Sequence, residues 1–406
     1  MLKLDWYTWI GVSMKILSIK IGKNILFPEG FCIDLKNLAR VSKNSAPHDN
    51  YQSAYKIKTG LYNQVLLCLT GINSTGKTTI LQLIAGICNL VLMQRTTEVI
   101  APILRKLQIT NERSFKFEAE ILQDKTVYLL ESEIVKNKDE FVYKDEVLYK
   151  LPLSKYTKGN KVDDFKLYKS RTEEVNNPFL KSDESIARCL SSKAGVLVTY
   201  LDFFRELNKR HETPSIDLIK LFDLAIKDLK IRDYTGDLKT TTACVEFERP
   251  GLVEKQVDSL EKIASKGTIK GLSIFPGILT ALSSGGYVVI DDLETYFDNR
   301  IITYIFDLFT NVKTNPQGAC LIFSTHYYEL LDYFTRKDNI YVAHQDDSEL
   351  LKVSRFTEAK KVTFGKILNS KALQYNLIPG SAPKFSVYRN AKNKIMELLN
   401  SNAYSI

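Results

Sequence analysis

The chain carries the stretch Gly71-Ile72-Asn73-Ser74-Thr75-Gly76-Lys77-Thr78-Thr79, which fits the pattern G-x-x-x-x-G-K-S/T of a phosphate-binding loop. The apolar run at 65–69 (VLLCL) before it predicts a buried strand, and residues 79–87 after it predict a helix. This strand, turn and helix order is the context in which the pattern binds phosphate. We therefore expect a P-loop nucleotide-binding domain of the α/β class.

The residue types in the loop indicate how it would hold a nucleotide. Gly71 and Gly76 allow a tight turn that aims consecutive N–H groups at one anion, and the positive end of the helix dipole adds to that attraction. Lys77 would reach the β- and γ-phosphates of ATP, and the Thr78 hydroxyl would bind Mg²⁺. The candidate nucleotide-binding residues of the loop are Gly71, Asn73, Ser74, Thr75, Gly76, Lys77, Thr78 and Thr79.

Composition limits the class of protein. With 406 residues and 44% apolar content the chain can form one large domain or two to three smaller ones. The net charge of +9 arises from 56 basic and 47 acidic residues, which is a mixed surface that leaves DNA or RNA open as a partner. The six cysteines include no C-x-x-C pair and the four histidines have no spaced partner, so we expect reduced core thiols and no structural zinc.

The chain lacks a membrane-spanning pattern. No segment reaches the roughly 18 to 20 apolar residues needed to cross a bilayer. The longest apolar candidate, 80–93, contains Gln82 and Asn89 and is better explained as the helix behind the loop. The first 13 residues also lack a signal-peptide pattern, so we expect a cytoplasmic protein.

The segments before and after the loop predict mainly strands. Residues 15–21 and 31–35 should pair as antiparallel strands, and the polar stretch 39–60 should form a surface loop. After the first helix, the runs 115–122, 126–135 and 141–148 are separated by short polar turns, which predicts an antiparallel meander.

The middle of the chain predicts an insertion. Residues 151–180 are rich in polar residues and should form an exposed, disorder-prone loop. A long helix should then run from Ser182 towards Lys209, and Thr213-Pro214 should start a second one with an apolar face. That face comprises Ile216, Ile219, Phe222, Ala225 and Leu229.

The last third of the chain is predicted to add further strands to the core sheet that contains the loop strand. Residues 286–290 and 319–324 should be buried parallel strands joined by the amphipathic helix 300–312, which is a β-α-β unit. A helix at 269–282 should precede this unit, and a hairpin of 340–343 with 350–353 should follow it.

Acidic residues follow the first of these strands. Four apolar residues before Asp291-Asp292 match the Walker B pattern, in which the first acid holds Mg²⁺ and the second polarises the attacking water. Asp291 is the candidate metal residue together with Thr78. Asp292 is the candidate base, although glutamate is more usual at its position, and Glu294 is the alternative.

A histidine follows the second strand. In Ser324-Thr325-His326, the strand end places His326 where its ring could contact the γ-phosphate or the attacking water. We therefore include it among the catalytic candidates. No glutamine stands clearly at the position of a glutamine loop, since Gln94, Gln108 and Gln123 are all imperfectly placed.

The ordered motifs GINSTGKT (71–78), SKGT (265–268), YVVIDDLE (287–294) and STH (324–326) resemble those of ABC-type ATPases of the RecF, SMC and OLD group. More narrowly, residues 14–355 resemble the stand-alone ATP-binding proteins of bacterial abortive-infection and phage-defence operons, of the AbiL kind and including the AriA subunit of the PARIS system. The resemblance implies an ABC-type ATPase head with a mixed sheet core and an antiparallel meander, plus a helical insertion.

The same resemblance implies a composite site. Ser265 and Gly267 would act as the signature that presents a hydroxyl, backbone N–H groups and a helix N-terminus to the γ-phosphate held by a second protomer. The implied protein is an ATP-dependent sensor or scaffold that forms a dimer or larger assembly and controls a separately encoded effector nuclease. Ser74, Asp292 and the missing glutamine loop depart from the usual pattern, so we expect slow turnover.

These expectations define the predicted domains and leave one alternative function. The predicted division is an appendage at 1–13, ATPase core at 14–150, insertion at 151–240, ATPase core at 241–355 and a C-terminal segment at 356–406. The alternative is a DNA-repair or DNA-bridging ATPase of the RecF or SMC kind, which the positive charge would suit but which lacks a long coiled coil here.

Overall fold

The computed structural model describes residues 14–38, 41, 50–174, 180–190, 196–200, 226–232, 242–249, 251–256, 266–345 and 350–355. Two six-stranded sheets form its main layers, with strand orders β2-β1-β6-β7-β8-β9 and β10-β14-β15-β5-β16-β17. A three-stranded sheet, β11-β12-β13, and a hairpin, β3-β4, complete the described strands.

The strands have the following bounds: β1 Lys15–Ile21, β2 Phe31–Asp34, β3 Ala54–Lys58, β4 Leu61–Gln64, β5 Leu66–Thr70, β6 Phe115–Gln123, β7 Thr126–Asn137, β8 Glu140–Pro152, β9 Lys166–Ser170, β10 Leu197–Tyr200, β11 Ile226–Arg232, β12 Thr242–Phe247, β13 Leu252–Gln256, β14 Tyr287–Ile290, β15 Cys320–Thr325, β16 Ile340–Gln345 and β17 Leu351–Arg355. The α-helices are α1 Lys77–Val91, α2 Ala101–Lys106, α3 Arg171–Glu174, α4 Lys266–Ser284 and α5 Asn299–Thr310. Short 3₁₀ helices lie at Thr97–Ile100, Val162–Asp164, Ile186–Leu190, Leu293–Thr295 and Tyr328–Tyr333.

The second six-stranded sheet is the core of the nucleotide-binding fold. Its strands β10, β14, β15, β5 and β16 are parallel, and β17 is antiparallel at the edge. Every residue of β5, β14 and β15 is buried, as expected for strands covered on both faces. Because parallel strands share one direction, the residues after β5, β14 and β15 meet at the same edge of the sheet.

Helix α1 lies between the two large sheets. One apolar cluster joins residues of α1 to the antiparallel sheet and to one face of the parallel sheet. A second cluster joins the other face of the parallel sheet to α4 and α5. These two cores fix the position of the P-loop relative to the strand ends beside it.

Most predicted strands and helices of the core are confirmed. The antiparallel pair β1-β2, the meander β6-β7-β8, the β-α-β unit of β14, α5 and β15, and the hairpin β16-β17 all form. The predicted helices at 79–87, 269–282 and 300–312 correspond to α1, α4 and α5. These segments have strong local periodicity, which is the most reliable signal in a sequence.

The helical insertion is not found where the structure describes that region. The prediction of one helix from Ser182 towards Lys209 is wrong, because a 3₁₀ turn occupies Ile186–Leu190 and β10 occupies Leu197–Tyr200. The second helix cannot continue to Leu229, since β11 begins at Ile226. Pairing of β10 with β14 and of β11 with β12 overrides the helical spacing of the apolar residues.

Two predicted loops also contain regular structure. In 151–180, β9 pairs with β8, and Tyr156 is 1% exposed, so this segment is not a disordered loop where it is described. In 39–60, β3 pairs with β4. Both corrections concern polar strands at sheet edges, whose composition resembles that of a loop.

Several predictions lie outside the described residues. They concern the segments 1–13 and 356–406, the helical positions within 201–225, and Ser265. Among the helices that are described, none is both long and apolar enough to cross a membrane.

Candidate functional site

The loop between β5 and α1 has the backbone shape of an anion cradle. Gly71 has φ +145° and Gly76 has φ +82°, both in the region that favours glycine. A Cβ on Gly71 would lie 2.4 Å from the carbonyl oxygen of Ala343, and one on Gly76 would lie 2.5 Å from the Leu351 side chain. The loop therefore fits tightly against β16 and β17 only because these two positions are glycine.

The start of α1 leaves donors available for an anion. Its N-cap is Gly76, which offers no side-chain cap, and no acidic residue occupies the first turn. The first N–H groups of a helix have no partner within the helix, and the dipole makes this end positive. Thr78 is exposed at this end of the helix. The Thr75 hydroxyl stabilises the loop by donating a hydrogen bond of 2.8 Å to the Ile72 carbonyl oxygen.

Lys77 is the buried cation of the loop. It is 5% exposed, and its ammonium donates to the carbonyl oxygens of Gly71 at 2.9 Å and Ile72 at 3.0 Å. Burial lowers the pKa of Lys77, while the nearby carboxylates of Asp292, Asp291 and Glu294 oppose that shift. If a phosphate group bound here, its charged oxygens would replace the two neutral carbonyl oxygens as acceptors for the Lys77 ammonium. Hydrogen bonds between charged groups are stronger than those to neutral acceptors.

The predicted acidic residues gather at the end of β14. Asp291 and Asp292 are half-buried, and Asp292 adopts the left-handed conformation with φ 46° and ψ 65°. The Ser324 hydroxyl, at the end of the neighbouring strand β15, donates to Asp291 Oδ1. The backbone N–H of Asp292 donates to the same hydroxyl oxygen at 2.7 Å.

His326 lies between the loop lysine and these acids. Its Nδ1 is 3.4 Å from Lys77 Nζ, and its Nε2 is 3.4 Å from Asp292 Oδ1. Since an ammonium can only donate, this geometry suits a neutral ring that accepts at Nδ1 and donates from Nε2–H to the carboxylate. The side chains of His326 and Asp292 are 35% and 38% exposed, so water can reach the pair.

Glu294 supports the histidine through the backbone. Its Oε1 accepts a hydrogen bond of 2.6 Å from the His326 N–H. Its Oε2 is buried and has no hydrogen-bond partner among the described residues. A buried carboxylate oxygen with an open acceptor site is costly unless another group contacts it.

Two features of the site were not predicted from the sequence. Lys106, the last residue of α2, donates to the Thr79 hydroxyl and so adds a second cation at the first turn of α1. Strand β10 ends at Tyr200 directly beside Ile290, so the chain leaves β10 at the same edge as the acids. The β-branched residues Val196, Val198 and Thr199 are a local signal for β10, whereas no sequence pattern links Lys106 to Thr79.

The described contacts do not place the remaining candidate residues at the sheet edge that carries the loop and the acids. Gly267 lies in the first turn of α4, and its companion Ser265 is outside the described residues. Gln94 follows the far end of α1, about 20 Å from the loop by helix length. Gln108 follows α2 and Gln123 ends β6, and the described hydrogen bonds join neither of them to the loop.

The assembled groups fit a nucleoside triphosphate with Mg²⁺. The cations Lys77 and Lys106 and the free N–H groups of α1 suit phosphate oxygens, and the exposed Thr78 hydroxyl and the Asp291 carboxylate are oxygen ligands of the kind that Mg²⁺ prefers. A divalent cation would also offset the repulsion between three clustered carboxylates and the phosphates.

A comparison with protein families agrees with this geometry. The family model described as "AAA domain, putative AbiEii toxin, Type IV TA system" matches residues 66–332, which is more than half of the chain. The matched segment begins with β5 and includes the loop, the acids after β14 and His326. Among curated proteins, none matches the chain.

Proposed function

Because this chain belongs to the AAA-domain family of the abortive-infection and type IV toxin–antitoxin kind, we propose that it binds ATP with Mg²⁺ and hydrolyses it slowly. The observation that carries the proposal is the placement of Lys77 opposite His326 and Asp292 at adjacent strand ends. The positive half of this site would bind phosphate, and the acidic half would act on the metal and the attacking water.

Phosphate binding is assigned to the loop and to α1. Lys77 exchanges the Gly71 and Ile72 carbonyls for phosphate oxygens, and the N–H groups of the first turn of α1 bind the same anion. Thr78 and Asp291 would hold Mg²⁺, which would neutralise charge that develops on the transferred phosphoryl group. Lys106 adds positive charge next to Thr79.

Water activation is assigned to Asp292, with support from His326 and Glu294. Asp292 carries the carboxylate nearest to the histidine ring, and solvent reaches both side chains. The His326 Nε2 atom, 3.4 Å from Asp292 Oδ1, would orient this carboxylate. Aspartate is one methylene shorter than the glutamate that is usual at this position, so turnover should be slow.

Assembly is the next part of the proposal. Two protomers would bind head to tail and enclose two nucleotides, each held by Lys77, Thr78 and Asp291 of one chain and by Ser265 and Gly267 of the other. In support, α4 begins at Lys266, so a helix N-terminus lies directly at this motif and could face an anion. ATP would then hold a dimer or larger assembly together, and hydrolysis would release it.

The biological role follows the resemblance to the AbiL and AriA proteins. We assign the chain to a bacterial anti-phage system in which the ATP-bound assembly senses infection and controls a separately encoded effector nuclease. The family match supports a toxin–antitoxin context for this proposal. DNA or RNA is a further candidate ligand of the assembly, in keeping with the net charge of +9.

The assembly claim is tested by measuring particle mass with and without ATP and Mg²⁺. Lys77→Ala should abolish ATP binding, whereas Ser265→Arg should bind ATP but remain in the ATP-free state of assembly. Lys20→Ala, which changes an exposed ion pair in β1, is the control. If Lys77→Ala and Ser265→Arg both bind ATP and assemble as the wild type does, the sandwich model is wrong.

A further inference from the structure

The buried hydroxyl of Ser324 joins the two acids that follow β14. Ser324 is 0% exposed and lies in β15, between the P-loop strand β5 and β14. Its Oγ contacts Asp291 Oδ1, accepts the Asp292 N–H at 2.7 Å, and lies 3.3 Å from Asp292 Oδ1. One side chain thus touches both the candidate metal ligand and the candidate base.

The direction of each hydrogen bond follows from the groups present. The Asp292 N–H can only donate, so the serine oxygen accepts from it. The single hydroxyl proton must therefore point to a carboxylate, and Asp291 Oδ1 is the nearer acceptor. Hydrogen bonds to an ionised carboxylate are roughly twice as strong as neutral ones, so this contact can fix the orientation of Asp291.

The second contact bears on backbone conformation. Asp292 has φ 46°, in the left-handed region that residues other than Gly, Asn and Asp seldom adopt, and contacts with its surroundings help to hold it there. The hydrogen bond from its N–H to Ser324 is one such contact. This conformation directs the chain into the Leu293–Thr295 turn, from which Glu294 reaches the His326 N–H.

We propose that Ser324 is a positioning residue that aligns Asp291 for Mg²⁺ and holds Asp292 in its active conformation. This inference rests on the proposed function, since it assumes that the site binds ATP and Mg²⁺. Without the hydroxyl, Asp291 loses the donor that orients it and Asp292 loses the acceptor for its N–H. Removal of groups that orient metal ligands commonly costs about 10–100-fold in metal affinity or activity.

A matched control is available in the other sheet. Ser18 in β1 is 3% exposed, and its hydroxyl donates to the half-buried carboxylate of Glu120 at 2.8 Å. Ser18→Ala therefore removes the same chemical contact from a strand that does not end at the site. Ser324→Ala tests the inference, and Ser324→Cys serves as a second variant that keeps most of the volume with only a weak donor.

The experiment measures the binding of a fluorescent ATP analogue to the full chain, first in EDTA and then over a range of Mg²⁺ concentrations. A separate assay of phosphate release gives kcat. For both Ser324 variants we expect affinity in EDTA within about twofold of the wild type, while the Mg²⁺ concentration for half-maximal binding rises about 10–100-fold and kcat falls by a similar factor. Ser18→Ala should match the wild type in all three measurements.

The outcomes separate the inference from the function on which it rests. If the wild type binds the analogue and either folded Ser324 variant keeps the wild-type Mg²⁺ dependence, the positioning role is refuted while the ATPase proposal stands. If Ser18→Ala shifts the Mg²⁺ dependence equally, the effect is one of general stability and the inference fails. If the wild type itself does not bind the analogue, the proposed function fails and this inference fails with it.

Discussion

The ammonium of Lys77 lies 3.4 Å from Nδ1 of His326, although 249 positions separate the two residues in the chain. Lys77 is placed by β5 and α1, and His326 follows the adjacent parallel strand β15. Because the opposite side of the same ring faces Asp292, the histidine connects the phosphate-binding half of the site to its acidic half.

The first prediction concerns Lys77, whose ammonium donates to the Gly71 and Ile72 carbonyls of its own loop and lies beside the His326 ring. Lys77→Ala should lower ATP affinity at least about 100-fold, because hydrogen bonds between charged groups contribute about 1.5–3 kcal/mol each. Isothermal titration calorimetry measures the change. Lys20→Ala removes a 53% exposed lysine and should bind ATP normally. An affinity for Lys77→Ala within threefold of the wild type would refute the assigned role.

The second prediction concerns the contact between His326 and Asp292. His326→Ala and Asp292→Asn should each reduce kcat about 100-fold or more, with ATP binding largely retained, because acid–base groups typically contribute 10²–10⁴-fold. The double variant should lose little more than either single variant, since residues that act as a unit are not additive. Tyr327→Phe, at the exposed neighbouring position, is the control for phosphate-release assays. Fully additive losses would show that the two residues act independently.

Local sequence patterns were sufficient to predict the central part of the fold. The loop has the G-x-x-x-x-G-K-S/T motif, and α1, β14 and β15 each have a continuous run or a clear period of apolar residues. None of them needs a distant segment to be recognised. Their shared direction then places Lys77, Asp291 and His326 at one edge. The roles of these residues are still predictions, but their proximity follows from the parallel sheet.

The features that were missed depend on contacts between distant segments. The sequence predicts a helix across β10 although Val198 and Thr199 favour a strand, because the pairing of Leu197 with Tyr287 that decides between the two involves a distant segment. The contact between Lys106 and Thr79 depends on how α2 packs against α1. Ser324 belongs to the Ser324-Thr325-His326 motif, but its position between two acids depends on the pairing of β14 with β15.

The third prediction concerns Lys15, a buried residue of β1 that joins the two layers. Its ammonium donates to the carbonyl oxygens of Gly285, Gln317 and Gly318 at 2.6, 2.8 and 2.7 Å. Lys15→Met keeps an apolar stem but leaves these carbonyls without their donor, and an unsatisfied buried group costs about 1–3 kcal/mol. Urea unfolding should show a loss of at least this size, whereas Lys20→Met should change stability by less than about 0.5 kcal/mol. Equal stability of Lys15→Met and wild type would contradict the argument.

The fourth prediction concerns Glu146, a carboxylate of β8 that is fully buried against the segment leading to β10. It accepts hydrogen bonds from Ser185 Oγ at 2.7 Å, Ile186 N at 3.0 Å and Ser132 Oγ at 3.1 Å, and Arg171 lies 3.8 Å away. Burial raises the pKa of Glu146 to about 7, and the hydrogen bonds and Arg171 only partly oppose this.

The sign of the resulting pH dependence follows from proton linkage. Between the ordinary glutamate pKa of 4.5 and about 7, the native protein retains a proton that the unfolded chain has released. Glu146 therefore contributes stability that is fully present below pH 4.5 and is lost as the pH rises through 7, by up to about 3 kcal/mol. Glu146→Gln keeps one acceptor oxygen for Ser185 and Ser132, loses the acceptor of the Ile186 N–H, and cannot titrate. Its unfolding free energy should therefore be lower overall but vary less over this pH range. Urea unfolding between pH 4.5 and 8 measures both profiles, with Glu140→Gln, at an exposed position of β8, as the control. Parallel profiles for the wild type and Glu146→Gln would show that Glu146 is ionised in the native protein throughout.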